Sequence, residues 1–238
     1  MKKFLAVIVV LLLAAAAFVQ FAVPRALTNY LKDKVVTFTH AKEVQLSLDA
    51  LPSAKMALGY IDKIHCEADT SIIGELELKK AVLSGTAIHI NIMELLMPTD
   101  GISREEHTNR VLQHADSLEL SGIITAESLR DFLAERTNDQ LKNLDVTMTP
   151  EGILASAKVK ILGREADVQI GGKIIARDGD LYFSMNQVNL ENAILKRVNL
   201  DKFLGDFNLT ERVKMPFGLQ FREVEMRQGE TFVKSTRN

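Results

Sequence analysis

The residues of this chain that could take part in chemistry are concentrated in one polar stretch. His107 and His114 lie there, within a few positions of Glu105, Glu106 and Asp116. Imidazole and carboxylate groups are zinc ligands, so a metal site is one interpretation of this stretch. The spacing of these residues follows no established zinc pattern, and a solvated surface explains them more simply. We therefore predict no metal site.

Motifs for covalent or phosphate chemistry are missing from the sequence. It contains no Gly-x-Ser-x-Gly nucleophile motif, no glycine-rich phosphate loop and no Cys-x-x-Cys pair. Glu75 and Glu77 share one side of a predicted strand, where a solvated sheet face explains them better than an acid–base pair. A hydrolase acting on envelope lipid or glycan would need a nucleophile and a base, and no such pair stands out. We predict a protein that is not an enzyme and has no cofactor.

Composition narrows the classes of partner. The chain has 238 residues, a formal net charge of -2 and 25% charged residues, so a basic surface for nucleic acid is not expected. Aromatic residues make up only 6% and Trp is absent, which disfavours stacking on bases or sugars. Cys66 is the single cysteine, so no disulfide can form within the chain. We interpret it as a small buried apolar residue.

The first 22 residues have the composition of an export segment. Lys2 and Lys3 precede an apolar run over residues 4–19, which residues 21–23 extend. A basic start followed by an aliphatic run is typical of a signal peptide, and the run is also long enough for an uncleaved transmembrane anchor helix. Both outcomes place residues 24–238, predicted as a single domain, outside the cytoplasmic membrane. We expect a periplasmic, cell-envelope or secreted location, or one anchored by the N-terminal helix.

Alternation of apolar and polar residues dominates the rest of the chain. In "ILASAKVKILG", Ile153, Ala155, Ala157, Val159 and Ile161 fall on one side of an extended chain. A period of two predicts a half-buried strand. Two of the five inward residues are alanines, which leave space for a helix or for another apolar group.

The predicted elements are many strands and about three short helices. Helices are expected over residues 26–36 and 126–137, and a polar surface loop over residues 97–116. A sheet with one aliphatic face must bury that face, and the helices are too few to form a full layer. We therefore predict an α+β fold in which a long curved antiparallel sheet wraps around one or two helices.

Three stretches together are similar to motifs of the LmeA-like phospholipid-binding proteins of the bacterial envelope. They are "LPSAKMALGYIDKIHCEA", "LSGIITAESLRDFL" and "MPFGLQFREVEMRQGETFV", in that order along the chain. The resemblance covers nearly all of residues 24–238, although Met215 stands where the family commonly has Leu. It implies a tubular lipid-binding fold of the TULIP or BPI-like class, with an apolar groove and no catalytic residues.

The resemblance and the inward aliphatic pattern together predict binding of phospholipid acyl chains, with transfer or sensing as the purpose. The expected partners are phospholipid or another acyl lipid and a membrane surface, and no nucleic acid. The candidate lipid-lining residues are Leu46, Leu48, Ile64, Leu78, Ile88, Ile90, Leu129, Phe132, Leu133, Ala155, Ala157, Val159, Val168, Ile170, Phe183 and Met185. The alternative is a structural or assembly factor of the envelope that has a packed core and acts through protein contacts.

Overall fold

A computed structural model describes most of the chain. The described residues are 20, 22–37, 41–73, 76–97, 104–136, 142–161, 164–190, 206–210 and 215–237. The predicted signal or anchor segment lies outside them apart from residues 20 and 22. Within the described residues, no helix has the length and apolar character needed to cross a bilayer.

The strands form two antiparallel sheets. The larger sheet contains β1 (Val44–Asp49), β2 (Tyr60–Ile73), β3 (Leu76–Ile90), β4 (Leu112–His114), β5 (Ser117–Thr125), β11 (Leu219–Arg227) and β12 (Glu230–Arg237). Its order is β1-β2-β3-β5-β12-β11, and β4 pairs with β3. The smaller sheet contains β6 (Lys142–Met148), β7 (Ile153–Ile161), β8 (Arg164–Arg177), β9 (Asp180–Leu190) and β10 (Asp206–Asn208). Its order is β10-β9-β8-β7-β6.

Helices are few and short. Helix α1 covers residues 22–37, and a 3-10 helix covers Ser53–Leu58. Helices α2 (Ile92–Leu96) and α3 (Arg104–Val111) follow β3, and a second 3-10 segment covers Pro216–Gly218. Helix α4 (Ala126–Arg136) connects the larger sheet to the smaller one, because it follows β5 directly and precedes β6. The predicted α+β class with mainly antiparallel sheet is confirmed.

Two of the hairpins close with a glycine at positive φ. Arg177 pairs with Asp180 across Asp178 and Gly179, whose φ angles are +54° and +88°. Positive φ at both central residues gives the tight turn that matches the twist of paired strands. The second turn places Gly229 at φ +79°, between β11 and β12.

One apolar core lies between the two sheets. Leu78 and Ile124 of the larger sheet and Ile174 and Leu181 of the smaller sheet all belong to it. Helix α4 contributes Leu129 and Phe132, each only 1% exposed. The start of this helix is capped, since the Thr125 hydroxyl accepts a hydrogen bond from the Ser128 amide at 3.1 Å.

Backbone hydrogen bonds also join the two sheets. The Phe221 amide donates to the Gly179 carbonyl at 2.9 Å, which ties β11 to the β8–β9 turn. The Gly229 amide donates to the Met148 carbonyl at 3.0 Å, which ties the β11–β12 turn to the end of β6. Both contacts involve a turn glycine, so the hairpin tips fix how the sheets meet.

The structure differs from the sequence prediction in two respects. The described strands divide into two hydrogen-bonded sheets, where one curved sheet was expected. Within the predicted polar surface loop, Val111 of α3 and Leu112 of β4 are buried in the core. Val111 and Leu112 are adjacent in the sequence and have polar residues on both sides. No hydrophobic periodicity therefore indicated that they are buried.

Candidate functional site

Most of the candidate lipid-lining residues contribute to the shared core. Those that lie in it or pack against it are Leu48, Ile64, Leu78, Ile88, Ile90, Leu129, Phe132, Leu133, Ala155, Ile170, Phe183 and Met185. They come from both sheets and from α4, so the predicted inward direction of these side chains is consistent with the structure. Their neighbours are other apolar side chains of the same protein.

Small residues in this core have their space filled by larger neighbours. A methyl group added at Gly172 would lie 2.7 Å from Cζ of Phe183, so this ring occupies the place beside the glycine. At Gly122, an added methyl group would lie 3.1 Å from Cβ of Leu78. Within the core, therefore, glycine positions are packing sites for Phe183 and Leu78.

Leu46 lies in a separate, smaller apolar cluster. It packs against Val44 and Cys66 on the β1–β2 side of the larger sheet, together with Ala41, Ala68 and Ala81. The Cys66 thiol is buried, and burial, with a smaller effect from the nearby Glu67 carboxylate, raises its pKa. The interpretation of Cys66 as a small buried apolar residue is confirmed.

We expect the Cys66 thiol to react slowly with a thiol reagent in the folded protein, because the thiolate is the reactive form and little of it is present. Timed labelling with iodoacetamide at neutral pH, read by mass spectrometry, checks this. A Leu154→Cys variant provides an exposed thiol as control, and it should react about tenfold faster or more. Equal rates at positions 66 and 154 would contradict the buried placement.

Three candidates lie beyond both clusters, at the far end of β7 and β8. Ala157 pairs with Val168, and Val159 pairs with Ala166, one step further from the core. Ala157, Ala166 and Val168 are 7%, 4% and 8% exposed, and Val159 is half-buried. We call these four residues the distal face. Neither of the two apolar clusters described above includes them.

The distal face continues the inward alternation of the core strands. Ala155 belongs to the core, and Ala157 is the next inward residue on the same strand. On the opposite side of these strands, Lys158 lies 3.9 Å from Asp167, and both side chains are about half exposed. The sheet therefore keeps one apolar and one charged side past the end of the core.

Ala166 is a distal-face residue that the sequence analysis did not include among the candidates. The signal was present in "READVQI", where Ala166 alternates with Val168 and Ile170. Alanine is found both inside proteins and on their surfaces, so the alternation alone was weak evidence that Ala166 faces inward. Its register with Val159 provides the missing information.

The histidines of the polar stretch contact different partners. His107 Nε2 lies 3.0 Å from the carbonyl oxygen of Glu94, which connects α3 to α2. His114 Nε2 lies 2.9 Å from a carboxylate oxygen of Asp116. In the part of the chain that the structure describes, no three His, Cys, Asp or Glu side chains are grouped so that they could hold a metal ion.

Comparison of the chain with protein-family models, with curated proteins and with solved structures finds no match. The resemblance to the LmeA-like family therefore stays a prediction from the sequence.

Proposed function

We propose that this protein binds phospholipid acyl chains noncovalently in the cell envelope, and that it carries or senses them without catalysing a reaction. The observation that supports the proposal is the distal face. Its four small or medium apolar side chains extend the inward side of the smaller sheet beyond the core that the two sheets share. We place the acyl-chain contact there because neither apolar cluster includes these residues, three of which are buried to the same extent as residues of the core.

The proposal includes a finer architecture, that of a tubular lipid-binding fold of the TULIP or BPI-like class. In this architecture the two sheets are parts of one wrap around α4. The burial of α4 supports this architecture, because Leu129 and Phe132 lie in the apolar core that strands of both sheets form. Phe132 also meets Phe207 of β10 in an edge-to-face contact, with ring centroids 6.3 Å apart. The proposed architecture requires such contacts on both sides of the enclosed helix.

The energetics suit exchange with a membrane. Burying a methylene group away from water is worth about 0.8 kcal/mol, so a 16-carbon chain gains roughly 12 kcal/mol in either a bilayer or an apolar groove. Because the bilayer and the apolar groove are nearly equivalent for an acyl chain, the lipid can move between them at a small net cost in free energy. Such a balance fits a carrier or a sensor better than a store.

The first test is direct identification of bound lipid. Lipids extracted from the purified protein are identified by mass spectrometry, and transfer of labelled phospholipid between vesicles is measured with and without the protein. We expect phospholipid in the extract at a substantial fraction of the protein concentration. An empty extract together with unchanged transfer would overturn the proposal.

We expect Ala157→Leu to reduce lipid loading with little change in melting temperature, because leucine would fill the space proposed for the acyl chain. Ala155→Leu is the matched variant, one inward position away on the same strand. Since Ala155 lies in the core, the larger side chain should lower the free energy of unfolding by about 1–3 kcal/mol. Urea denaturation and the lipid extract are measured for both variants. Equal destabilisation with unchanged lipid content would contradict the assignment of the distal face.

A second function, that of a structural or assembly factor acting through protein contacts, is favoured by the packing of the core. The side chains that were candidates for lipid contact mostly touch one another. If the distal face is packed as fully as the core, Ala157→Leu should destabilise the protein as much as Ala155→Leu does. The pair of variants therefore separates the two functions.

A further inference from the structure

Exposed large apolar residues are concentrated in two short stretches of the described chain. In the first stretch, the exposed fraction is 84% for Leu51, 70% for Leu58 and 47% for Tyr60. In the second stretch, it is 68% for Met93, 59% for Leu96 and 51% for Met97. The other large apolar residues with comparable exposure, Val36, Ile72 and Leu154, lie singly elsewhere. Single exposed apolar residues are common on protein surfaces, but a group of six close together is typical of an interaction site.

The fold brings the two stretches to the same end of the larger sheet. The 3-10 helix ends at Gly59, whose carbonyl oxygen accepts a hydrogen bond from the Ile90 amide at 2.9 Å. Tyr60 begins β2 and pairs with His89 near the end of β3, and their rings stack with centroids 4.1 Å apart. Helix α2 begins two residues after Ile90. We call the six exposed residues at this end the docking end.

The described part of α1 and the residue Gln20 just before it reach the docking end. The side-chain oxygen of Gln20 accepts a hydrogen bond from the Ala54 amide of the 3-10 helix at 3.1 Å. Further along α1, the Tyr30 hydroxyl donates to the Leu95 carbonyl of α2 at 3.0 Å. The helix therefore runs from one stretch to the other, and the residues that precede it in the chain reach the domain at Gln20.

The residues before Gln20 indicate what covers the docking end. Residues 4–19 are apolar and follow two lysines, which is the composition of a segment that enters a bilayer. A chain that leaves a bilayer at Gln20 would bring the 3-10 helix to the membrane surface, and α1 would bring α2 close to it. For leucine and methionine side chains at the membrane surface, insertion into the boundary between head groups and acyl chains is favourable in free energy.

We infer that the docking end lies on the lipid bilayer and inserts Leu51, Leu58, Met93 and Leu96 into its surface. The inference rests on the predicted membrane affinity of residues 4–19 and is independent of acyl-chain binding at the distal face. It also orients the domain. Strand β2 starts at Tyr60 and extends away for 14 residues, so Ile72 would lie about 40 Å from the docking end.

The test uses the full chain in vesicles of phosphatidylcholine and phosphatidylglycerol. Single cysteines are introduced by Leu58→Cys and Leu96→Cys at the docking end, and each is labelled with an environment-sensitive fluorophore. Ile72→Cys and Leu154→Cys are the matched controls, because both are exposed apolar positions outside the docking end. The unsubstituted chain, treated in the same way, measures any labelling of the buried Cys66.

The expected result is a blue shift at positions 58 and 96 in vesicles, with quenching by lipids that carry a spin label in the upper acyl chain. Positions 72 and 154 should show neither effect. No blue shift and no quenching at positions 58 and 96 would overturn the inference, since the docking end would then stand clear of the bilayer. Equal quenching at all four positions would also overturn it, since the contact would not be specific to the docking end. A blue shift at 58 and 96 that is the same without vesicles would also overturn it, because another part of the chain or a second copy would cover the docking end.

Discussion

Gly59→Ala is expected to lower the free energy of unfolding by about 2–4 kcal/mol. Gly59 ends the 3-10 helix at φ +85°, in the left-handed region that costs an alanine about 1–2 kcal/mol. The added methyl group would also lie 1.9 Å from the carbonyl oxygen of Ile90, far inside contact distance. Because this oxygen belongs to the backbone of β3, the strand itself would have to move. Urea denaturation followed by circular dichroism measures the loss.

Gly229→Ala is the matched control. Gly229 has a similar φ of +79°, but no atom lies within 4 Å of the position of its added methyl group. This variant therefore has the conformational cost alone, about 1 kcal/mol. The difference between the two variants reports the steric effect at Ile90. If both lost the same stability, the close approach of Gly59 to β3 would be refuted.

Phe132→Ala is expected to lower the free energy of unfolding by about 3–5 kcal/mol. The Phe132 ring is 1% exposed, lies in the core between the two sheets and meets Phe207 at an interplanar angle of 69°. Its removal leaves a cavity and ends an aromatic contact worth about 0.5–1.5 kcal/mol beyond its buried area. Thermal and urea unfolding, monitored by circular dichroism, both measure the effect.

Asp131→Ala is the control for Phe132→Ala. Asp131 is the neighbouring residue on α4, and its exposed carboxylate pairs with Arg130 at 2.9 Å. An exposed ion pair contributes little, so this variant should change stability by no more than about 0.5 kcal/mol. A loss below about 1 kcal/mol for Phe132→Ala would show that α4 is not packed between the sheets in solution.

Features that depend on a few neighbouring residues could be predicted from the sequence. Gly59 as a helix stop, Thr125 as a helix cap and the turn at Asp178–Gly179 are all present in the structure. Each follows from the conformational range of glycine or from a side chain that reaches its own backbone. Alternation likewise indicated which side of a strand faces inward, as at Ala155.

Pairing between distant strands could not be predicted, since periodicity defines a face but not the strand that covers it. Ala155 and Ala157 show the consequence for the candidate site. They occupy equivalent positions in the alternation and both are buried, yet only Ala155 belongs to the apolar cluster that the two sheets share. The difference depends on which distant elements reach each position, and no local pattern in the sequence contains this information. The docking end could not be predicted either, because its residues lie in two stretches that the pairing of β2 with β3 brings together, as at Gly59 and Ile90.

The position of β12 has a consequence for how the chain reaches its final state during biosynthesis. This strand is an inner member of its sheet, and Glu230 pairs with Thr125 of β5. Until residues 230–237 have been synthesised, β5 presents a row of unpaired amides and carbonyls along one side, the kind of template on which chains aggregate. Pairing of β5 with β12 therefore closes a long loop of intervening chain, and contacts between such distant segments form slowly.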